Sequence, residues 1–444
     1  MQQGIVRITG KNAVFMDSSL VVSAAYSYHC TKSERYYSRS FLFSSCESIV
    51  ASPPPSPPSS PLDDSCSGSR KRKRKKKKKK RLYTPNEKES FAECRHQEVR
   101  GDILEAYEAF QATAIPRVKS HAVALRQILP ANTTTIVCQE QEQEQEVDFV
   151  ELGKLWQAPL YEITFSQSSE RSSGQGLRSF TLFNTVIENA IKEEVVAECA
   201  GCRFLLPCLC QFLISDINQV HQLVPEPSCE GFNLLVIDPP WENKSVHRRA
   251  LYPTLPNRSL LSLPVKQLAH ADGALVALWI TNREKLRQFA EKELFPAWGI
   301  TPAAVWYWLK VKEDGVMVSP LDLAHHKPYE CLLLGYLPCQ PPLGTDNKDV
   351  HGGTADLKHE KPPDKFVIIS VPGDHSRKPP LGRFLLNRCF AALLSGFLPG
   401  PKKVKGIELF ARELTAGWTS WGNEPLRFQH LPYFRRKTRT TVEA

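Results

Sequence analysis

Leu234-Leu235-Val236-Ile237 runs straight into Asp238-Pro239-Pro240-Trp241. Four apolar residues in a row, two of them β-branched, read as a strand buried on both faces, the kind found at the centre of an α/β sheet. In open sheets of that class, ligands sit just beyond the carboxyl ends of the strands. Asp238 is therefore expected to point into a site.

The tetrapeptide itself limits what that site can hold. Its prolines fix φ and lack N–H groups, so they keep the chain rigid and turn their carbonyls outward as acceptors. Asp238 adds a second acceptor, and Trp241 supplies a flat apolar face. Two acceptors beside a stacking surface suit the exocyclic amino group of a purine or pyrimidine. Taken alone, the motif leaves a second reading open, an Asp-Pro turn closing a strand with Trp241 as ordinary core.

From about residue 204 onward the chain alternates between strand and helix patterns. Strands are predicted over 212–215, 234–237, 274–279, 303–309, 331–336, 367–371 and 407–411, and helices over 284–294 and 380–394. No G-x-G-x-x-G lies near the first of these strands, which removes most support for a nicotinamide or flavin fold. The catalytic-type domain is placed at 204–436, with a mobile insertion over 339–365 that is polar, rich in Pro and Gly, and too long for an ordinary connector.

Two regions precede it. Residues 1–95 combine Ser-rich sequence with a Pro-Ser tract and are expected to be largely disordered, because such composition cannot bury enough apolar area to offset chain entropy. Residues 96–203 are expected to form a small, mainly helical accessory domain. Apolar residues recur at helical spacing over 102–129, interrupted at Pro116, and again over 180–199.

Charge and cysteines bound the setting. Arg70 opens and Arg81 closes a run of twelve basic residues, leaving 45 Lys and Arg against 47 Asp and Glu elsewhere, so the net charge of +10 belongs to that run. Such a run cannot fold on itself; it reads as a nuclear-import signal that engages an import receptor, with a nucleic-acid arm as the alternative. A faint transit-peptide character at the N-terminus keeps mitochondrion and cytoplasm as secondary destinations. No apolar stretch approaches the roughly 20 residues needed to span a bilayer, so no membrane association is expected. Thirteen cysteines, an odd number spread along a long chain, do not look like a disulfide framework. Cys199, Cys202, Cys208 and Cys210 invite a zinc reading, but the tight Cys208-x-Cys210 pair and the apolar residues before it favour buried thiols, and no metal is expected.

The residues also carry a family resemblance. Asp238-Pro239-Pro240-Trp241 after an apolar strand resembles the catalytic motif of the MT-A70 adenine-N6 methyltransferases, and other segments agree in order. These are Phe212-Leu213-Ile214-Ser215-Asp216-Ile217, His325-His326-Lys327-Pro328-Tyr329-Glu330, His375-Ser376-Arg377-Lys378-Pro379-Pro380, Glu408-Leu409-Phe410-Ala411-Arg412 and Gly417-Trp418-Thr419-Ser420-Trp421-Gly422-Asn423-Glu424. The resemblance covers residues 204–434. It implies a Rossmann-like, S-adenosylmethionine-dependent domain with permuted motif order, and a nucleic-acid substrate. The branch most similar to this chain implies 2′-O-methyladenosine in a U2-type small nuclear RNA, with adenine in DNA as a second substrate.

Roles follow from the same resemblance. Asp238, Pro239, Pro240 and Trp241 would be catalytic. Asp216 and Ile217 would meet the cofactor adenine, Ser376 and Lys378 its methionine carboxylate, and Arg412, Asn423 and Glu424 its ribose. Asn243, Lys244, Arg248, Arg249 and His326 are candidate substrate contacts, the basic ones through phosphate. Here Glu424 stands where other branches carry Gln, and Glu413-Leu414-Thr415-Ala416 lacks the His-Asn pair of some relatives. A monomeric catalytic unit is expected, the accessory region taking the place of a partner subunit. The rival readings are a catalytically silent nucleic-acid-binding partner of another methyltransferase and a small-molecule or cytosine amino-methyltransferase. Silent members lose the motif acid and the cofactor lysine, both present here as Asp238 and Lys378.

Overall fold

The computed structural model describes residues 4–37, 87–113, 147–154, 161–166, 178–226, 230–242, 255–323, 326–339, 360–381, 392–400 and 403–437. In chain order its strands are β1 (Ile5–Arg7), β2 (Ala13–Met16), β3 (His29–Thr31), β4 (Glu162–Ser166), β5 (Arg178–Thr181), β6 (Val186–Glu188), β7 (Val195–Cys199), β8 (Cys202–Leu206) and β9 (Gln211–Ile214). There follow β10 (Leu234–Ile237), β11 (Ala274–Ile280), β12 (Thr301–Lys310), β13 (Tyr329–Leu337), β14 (Val367–Ser370), β15 (Gly406–Leu409), β16 (Thr419–Gly422) and β17 (Phe434–Arg436). Eleven of them form one mixed, mainly parallel sheet in the order β1-β2-β14-β12-β13-β11-β10-β15-β16-β9-β6. The α/β expectation is met.

β10 pairs in parallel with β11 on one side and β15 on the other, and β16 and β9 continue in parallel beyond β15. The chain thus leaves β10 in one direction while later strands stack on its other flank. Crevices for ligands open at such a reversal, outside the carboxyl ends of the strands.

Helices and loops cover both faces. Leu235, Ile237, Val276 and Leu278 pack with Leu268, Leu286, Phe295 and Trp298 on one side. Leu234, Val236, Leu275, Ala277 and Trp279 pack with Trp306, Trp308, Ile368 and Trp418 on the other. Burial from two sides is why residues 234–237 form an unbroken apolar run and do not alternate. Each large side chain so buried contributes roughly 1.5–3 kcal/mol, which fixes the strand ends that carry the polar residues.

Two expectations are corrected. Residues 1–95 are not uniformly without structure, because residues 4–37 join the fold: β2 runs parallel to β14 with all four residues buried, β1 pairs with β2, and β3 pairs with β17. Averaged over ninety residues, the Ser and Pro content hides the apolar group of Val14, Phe15, Met16, Val21 and Val22, all nearly inaccessible. The basic run 70–81 lies outside the described residues, as do residues 340–359 of the insertion expected over 339–365.

The second correction concerns the accessory region. The helix Glu87–Thr113 lays Val99, Ile103, Ala106 and Phe110 on the main sheet, against Phe15, Leu309 and Ile369. Residues 180–199, expected to be helical, contribute strands instead, and β5-β4-β7-β8 form a four-stranded antiparallel sheet. Short apolar runs fit either period, and here cross-strand packing of β-branched and aromatic side chains decides the outcome. β8 also straddles residue 204, so no boundary falls there. The Cys199-x-x-Cys202 spacing turns out to be a hairpin: Ala200 and Gly201 both have positive φ, as a two-residue type I′ turn requires, and the two cysteines face each other across it. Burial pushes the Cys199 thiol up to about 11.

Candidate active site

Parallel strands deliver the polar residues to one edge of the sheet. Asp238 follows β10, Thr281 follows β11, Arg412 lies just beyond β15 and Asn423 follows β16. β13 runs antiparallel to β11 and β12, so Glu330, its second residue, reaches the same edge. After β14 the chain passes through a tight turn, Asp374–Ser376, which places Ser376 and Lys378 there as well. One cleft is lined by the four residues Asp238 to Trp241 together with Glu330, Ser376, Lys378, Phe410, Arg412, Asn423 and Glu424.

Lys378 is its electrostatic centre. The ammonium lies 3.1 Å from Asp238 Oδ1 and 3.4 Å from Glu330 Oε2, and Glu330 is also bonded to Lys310 from the end of β12. Burial works against the charge on Lys378, but Asp238 and then Glu330 hold its pKa above the usual value. Burial likewise disfavours the Glu330 carboxylate, and Lys310 and Lys378 outweigh it, holding the group down at about 2. Glu408, on the neighbouring strand β15, is driven the other way. Burial first, then the charges of Glu413 and Asp238, push it up to about 8 despite Arg412 and Arg377. Two carboxyl groups beside Asp238 thus hold opposite protonation states at neutral pH, a separation set by their neighbours.

The motif's backbone is already in use. Pro239 C=O accepts the Trp241 N–H at 2.8 Å, Pro240 C=O accepts the Leu255 N–H at 3.3 Å, and the Asp238 N–H donates to Leu409 C=O at 3.2 Å. A carbonyl has two lone pairs, so each proline keeps one for a ligand. Trp241 differs more from expectation. It is 6% exposed, packs in the core, and donates its indole N–H to Trp279 C=O at 3.0 Å. The ring walls the cleft, and little of its face is available to a stacked base, because a side chain this large is stabilised more by core burial than by exposure.

Backbone strain gathers in the same place. Phe410 (φ 64) and Ser376 (φ 62) are non-glycine residues in the left-handed region, and both line the cleft. The Phe410 ring sits edge-on to Trp421 at 5.0 Å, Ala411 N–H donates to Trp421 C=O at 2.8 Å, and a Cβ on Gly422 would come within 2.8 Å of Ala411 O. Only glycine lets β16 approach the turn that carries Arg412.

Other candidates lie apart. Asp216 caps the turn Ile217–Leu223, accepting from Asn218 N–H at 2.8 Å, so Asp216 and Ile217 stand at the end of β9, beside β16, and do not line the cleft with Asp238. Glu424 does line the cleft, but it is paired there with Arg427 at 2.7 Å. His326 is exposed outside the cleft, its carbonyl accepting from Ser319 Oγ. Asn243, Lys244, Arg248 and Arg249 lie outside the described residues. Among the described residues no group of three or more His, Cys, Asp or Glu is arranged to hold a metal ion, and no helix is long and apolar enough to cross a membrane. Glu330 and Lys310 were missed from sequence. The Tyr329-Glu330 pair was in view, but nothing in one chain shows that antiparallel β13 sets Glu330 against Lys378.

The family model described as MT-A70 matches residues 232–424, a span that holds Asp238, Glu330, Lys378, Arg412 and Asn423 and leaves out Asp216 and Ile217. Over residues 232–424 the chain is similar to the MT-A70 family. The mouse protein named N(6)-adenine-specific methyltransferase METTL4 is 41% identical over 255 residues, 57% of this chain and 50% of that protein. Its human counterpart is 39% identical over 254 residues, 57% of this chain and 49% of that protein. A Caenorhabditis elegans protein named DNA N6-methyl methyltransferase is 31% identical over 55% of this chain and 59% of its own length. The chain spans about half the length of the curated METTL4 relatives that it matches. Within the MT-A70 domain the donor set fits the S-adenosylmethionine that the family resemblance implies: Lys378 offers a cation to a carboxylate, and the exposed amide of Asn423 suits a diol.

Proposed function

We propose that this chain is an S-adenosylmethionine-dependent N6-adenine methyltransferase acting on nucleic acid. The observation carrying the proposal is Asp238 at the end of β10, 3.1 Å from Lys378, in a cleft shared with Arg412 and Asn423. Its preferred substrate is 2′-O-methyladenosine in a small nuclear RNA, with adenine in DNA second. The similarity to METTL4 proteins supports adenine N6 as the acceptor and that to the worm enzyme supports adenine in DNA, while the small nuclear RNA substrate rests on the branch resemblance of the motifs.

The cofactor supplies an electrophilic methyl group on a sulfonium. Adenine N6 is a weak nucleophile because its lone pair is delocalised into the ring. Asp238 Oδ and the free lone pair of Pro239 C=O would take the two N6 hydrogens, localising the nitrogen pair and aiming it. Transfer would form the N–CH3 bond as the S–CH3 bond breaks, leaving the cofactor sulfur as a neutral thioether, and one N6 proton would pass to Asp238 or to solvent. It becomes acidic only as the new bond forms, so Asp238 orients and stabilises and need not act as a base before attack. Lys378 and Asn423 hold the cofactor ends. The target base must leave any duplex stack to reach this depth.

The test incubates the protein with labelled S-adenosylmethionine and RNA, 2′-O-methylated RNA, and single- and double-stranded DNA, identifying the nucleoside by mass spectrometry. N6-methylated 2′-O-methyladenosine as the main product is expected. Label on cytosine, or on no substrate at all, rules the proposal out in favour of one of the rival readings. The basic run from Arg70 to Arg81 is proposed as a nuclear address, and a monomer as the working unit.

A further inference from the structure

Arg377 stands between Ser376 and Lys378, and an element outside the MT-A70 domain holds it. It is 5% exposed, with its guanidinium carbon 3.9 Å from the Tyr36 ring centroid and 4.4 Å from that of Phe428. Nε donates to Glu413 Oε2 at 2.5 Å, whereas Nη2 is buried with no hydrogen-bond partner among the described residues. One hydrogen bond does not fix a planar group, so much of the restraint comes from the rings stacked on it. The backbone repeats the contact. Tyr37 bridges Gly373 in antiparallel fashion, and a Cβ at Gly373 would come within 2.6 Å of Arg377 Cβ. Tyr37 is itself anchored, donating to Asp17 Oδ1 at 2.7 Å and accepting from Ser19 N–H at 3.0 Å.

We propose that residues 17–37 are a positioning element of the active site, with Tyr36 setting the place of Lys378 through Arg377. The segment carrying Lys378 leaves β14 and makes only the single turn Asp374–Ser376. It includes the strained Ser376, a conformation that persists only when its surroundings impose it. Tyr36, Phe428 and Glu413 supply that imposition one residue away from the lysine. The effect on cofactor rests on the proposed function, in which Lys378 meets a carboxylate; the effect on the 373–378 loop does not.

The experiment uses the full chain with Tyr36→Ala, Tyr36→Leu and Tyr36→Phe. Leucine keeps most of the apolar volume and removes the π face, which covers the case in which alanine fails to fold. Amide hydrogen exchange should rise at 373–378 in the Ala or Leu variant, stay unchanged in β10 and β15, and return to wild type in the Phe variant. S-adenosylmethionine titrated by calorimetry should bind roughly tenfold more weakly to the Ala or Leu variant. Its KM should rise by a similar factor, with kcat at saturation kept. Unchanged exchange at 373–378 in the Leu variant overturns the proposal whatever the cofactor does. Altered exchange with unaltered cofactor affinity also overturns it, for Lys378 would then not depend on Tyr36. A wild-type chain that binds no S-adenosylmethionine sinks the proposed function, and the exchange result still decides the positioning role.

Discussion

Lys378 stands between two carboxylates, and that placement sets what the loss of either does. With Asp238→Ala, Lys378 keeps Glu330 at 3.4 Å and so remains charged and compensated. Cofactor affinity should stay within a few-fold of wild type, while methyl transfer falls by about 100-fold or more, the usual scale for losing a preorganised stabilising group. Calorimetry and single-turnover kinetics on one preparation check both halves, and near wild-type turnover would end the orienting role. Glu408 offers a test through pH. Its folded pKa, raised from 4.5 to about 8 by burial first, means that the unfolded chain loses a proton between those values while the folded chain keeps it. Stability therefore declines as pH rises through that window, on the order of a few kcal/mol in all. Glu408→Gln should melt like wild type near pH 4.5 and at a higher temperature at pH 8.5. Equal melting at both pH values would mean that the carboxyl is not held protonated.

At the scale of elements, the turn after β15 and the strand β16 are fitted to one another. Gly422→Ala puts a methyl group 2.8 Å from a backbone oxygen, so the turn holding Phe410 and Arg412 must shift. A roughly tenfold loss of S-adenosylmethionine affinity with a small drop in melting temperature is expected, a displacement of about 1 Å being enough to disturb a positioned site. A crystal structure of the variant with the turn unmoved would contradict this. Legibility followed the same physics. Residues 234–237 and 274–279 could be read because burial on both faces leaves an unbroken apolar signal; that signal gave Asp238, and the family resemblance gave Lys378, Arg412 and Asn423. β16 was not read as a strand, since Thr419-Ser420-Trp421-Gly422 is short and half polar. The strands over 178–199 were hidden because their apolar spacing also satisfies a helix. The link between Lys378 and Glu330 depends on β13 being antiparallel, which no local pattern encodes.

For the whole molecule, the fold draws on both ends of the chain: β2 extends the sheet beside β14, β3 pairs with β17, and Tyr36 reaches Arg377. The basic run stands outside this arrangement in sequence, more than 100 residues before β9, and its removal separates two roles. If it is an address, deleting residues 70–81 should shift the protein out of the nucleus and leave turnover on a short oligonucleotide within about twofold, because the described residues that line the cleft all lie outside the deletion. If it is a nucleic-acid arm, localisation should persist while affinity falls. The dependence of log affinity on log salt should then become shallower, since fewer phosphate-bound counterions are released on binding. Imaging and a salt titration on the same deletion decide between the two, and unchanged nuclear accumulation would exclude the run as the main import signal. The full chain is the right vehicle for both measurements, because a fragment restricted to residues 232–424 would lose β2, β9 and the Tyr36 contact together.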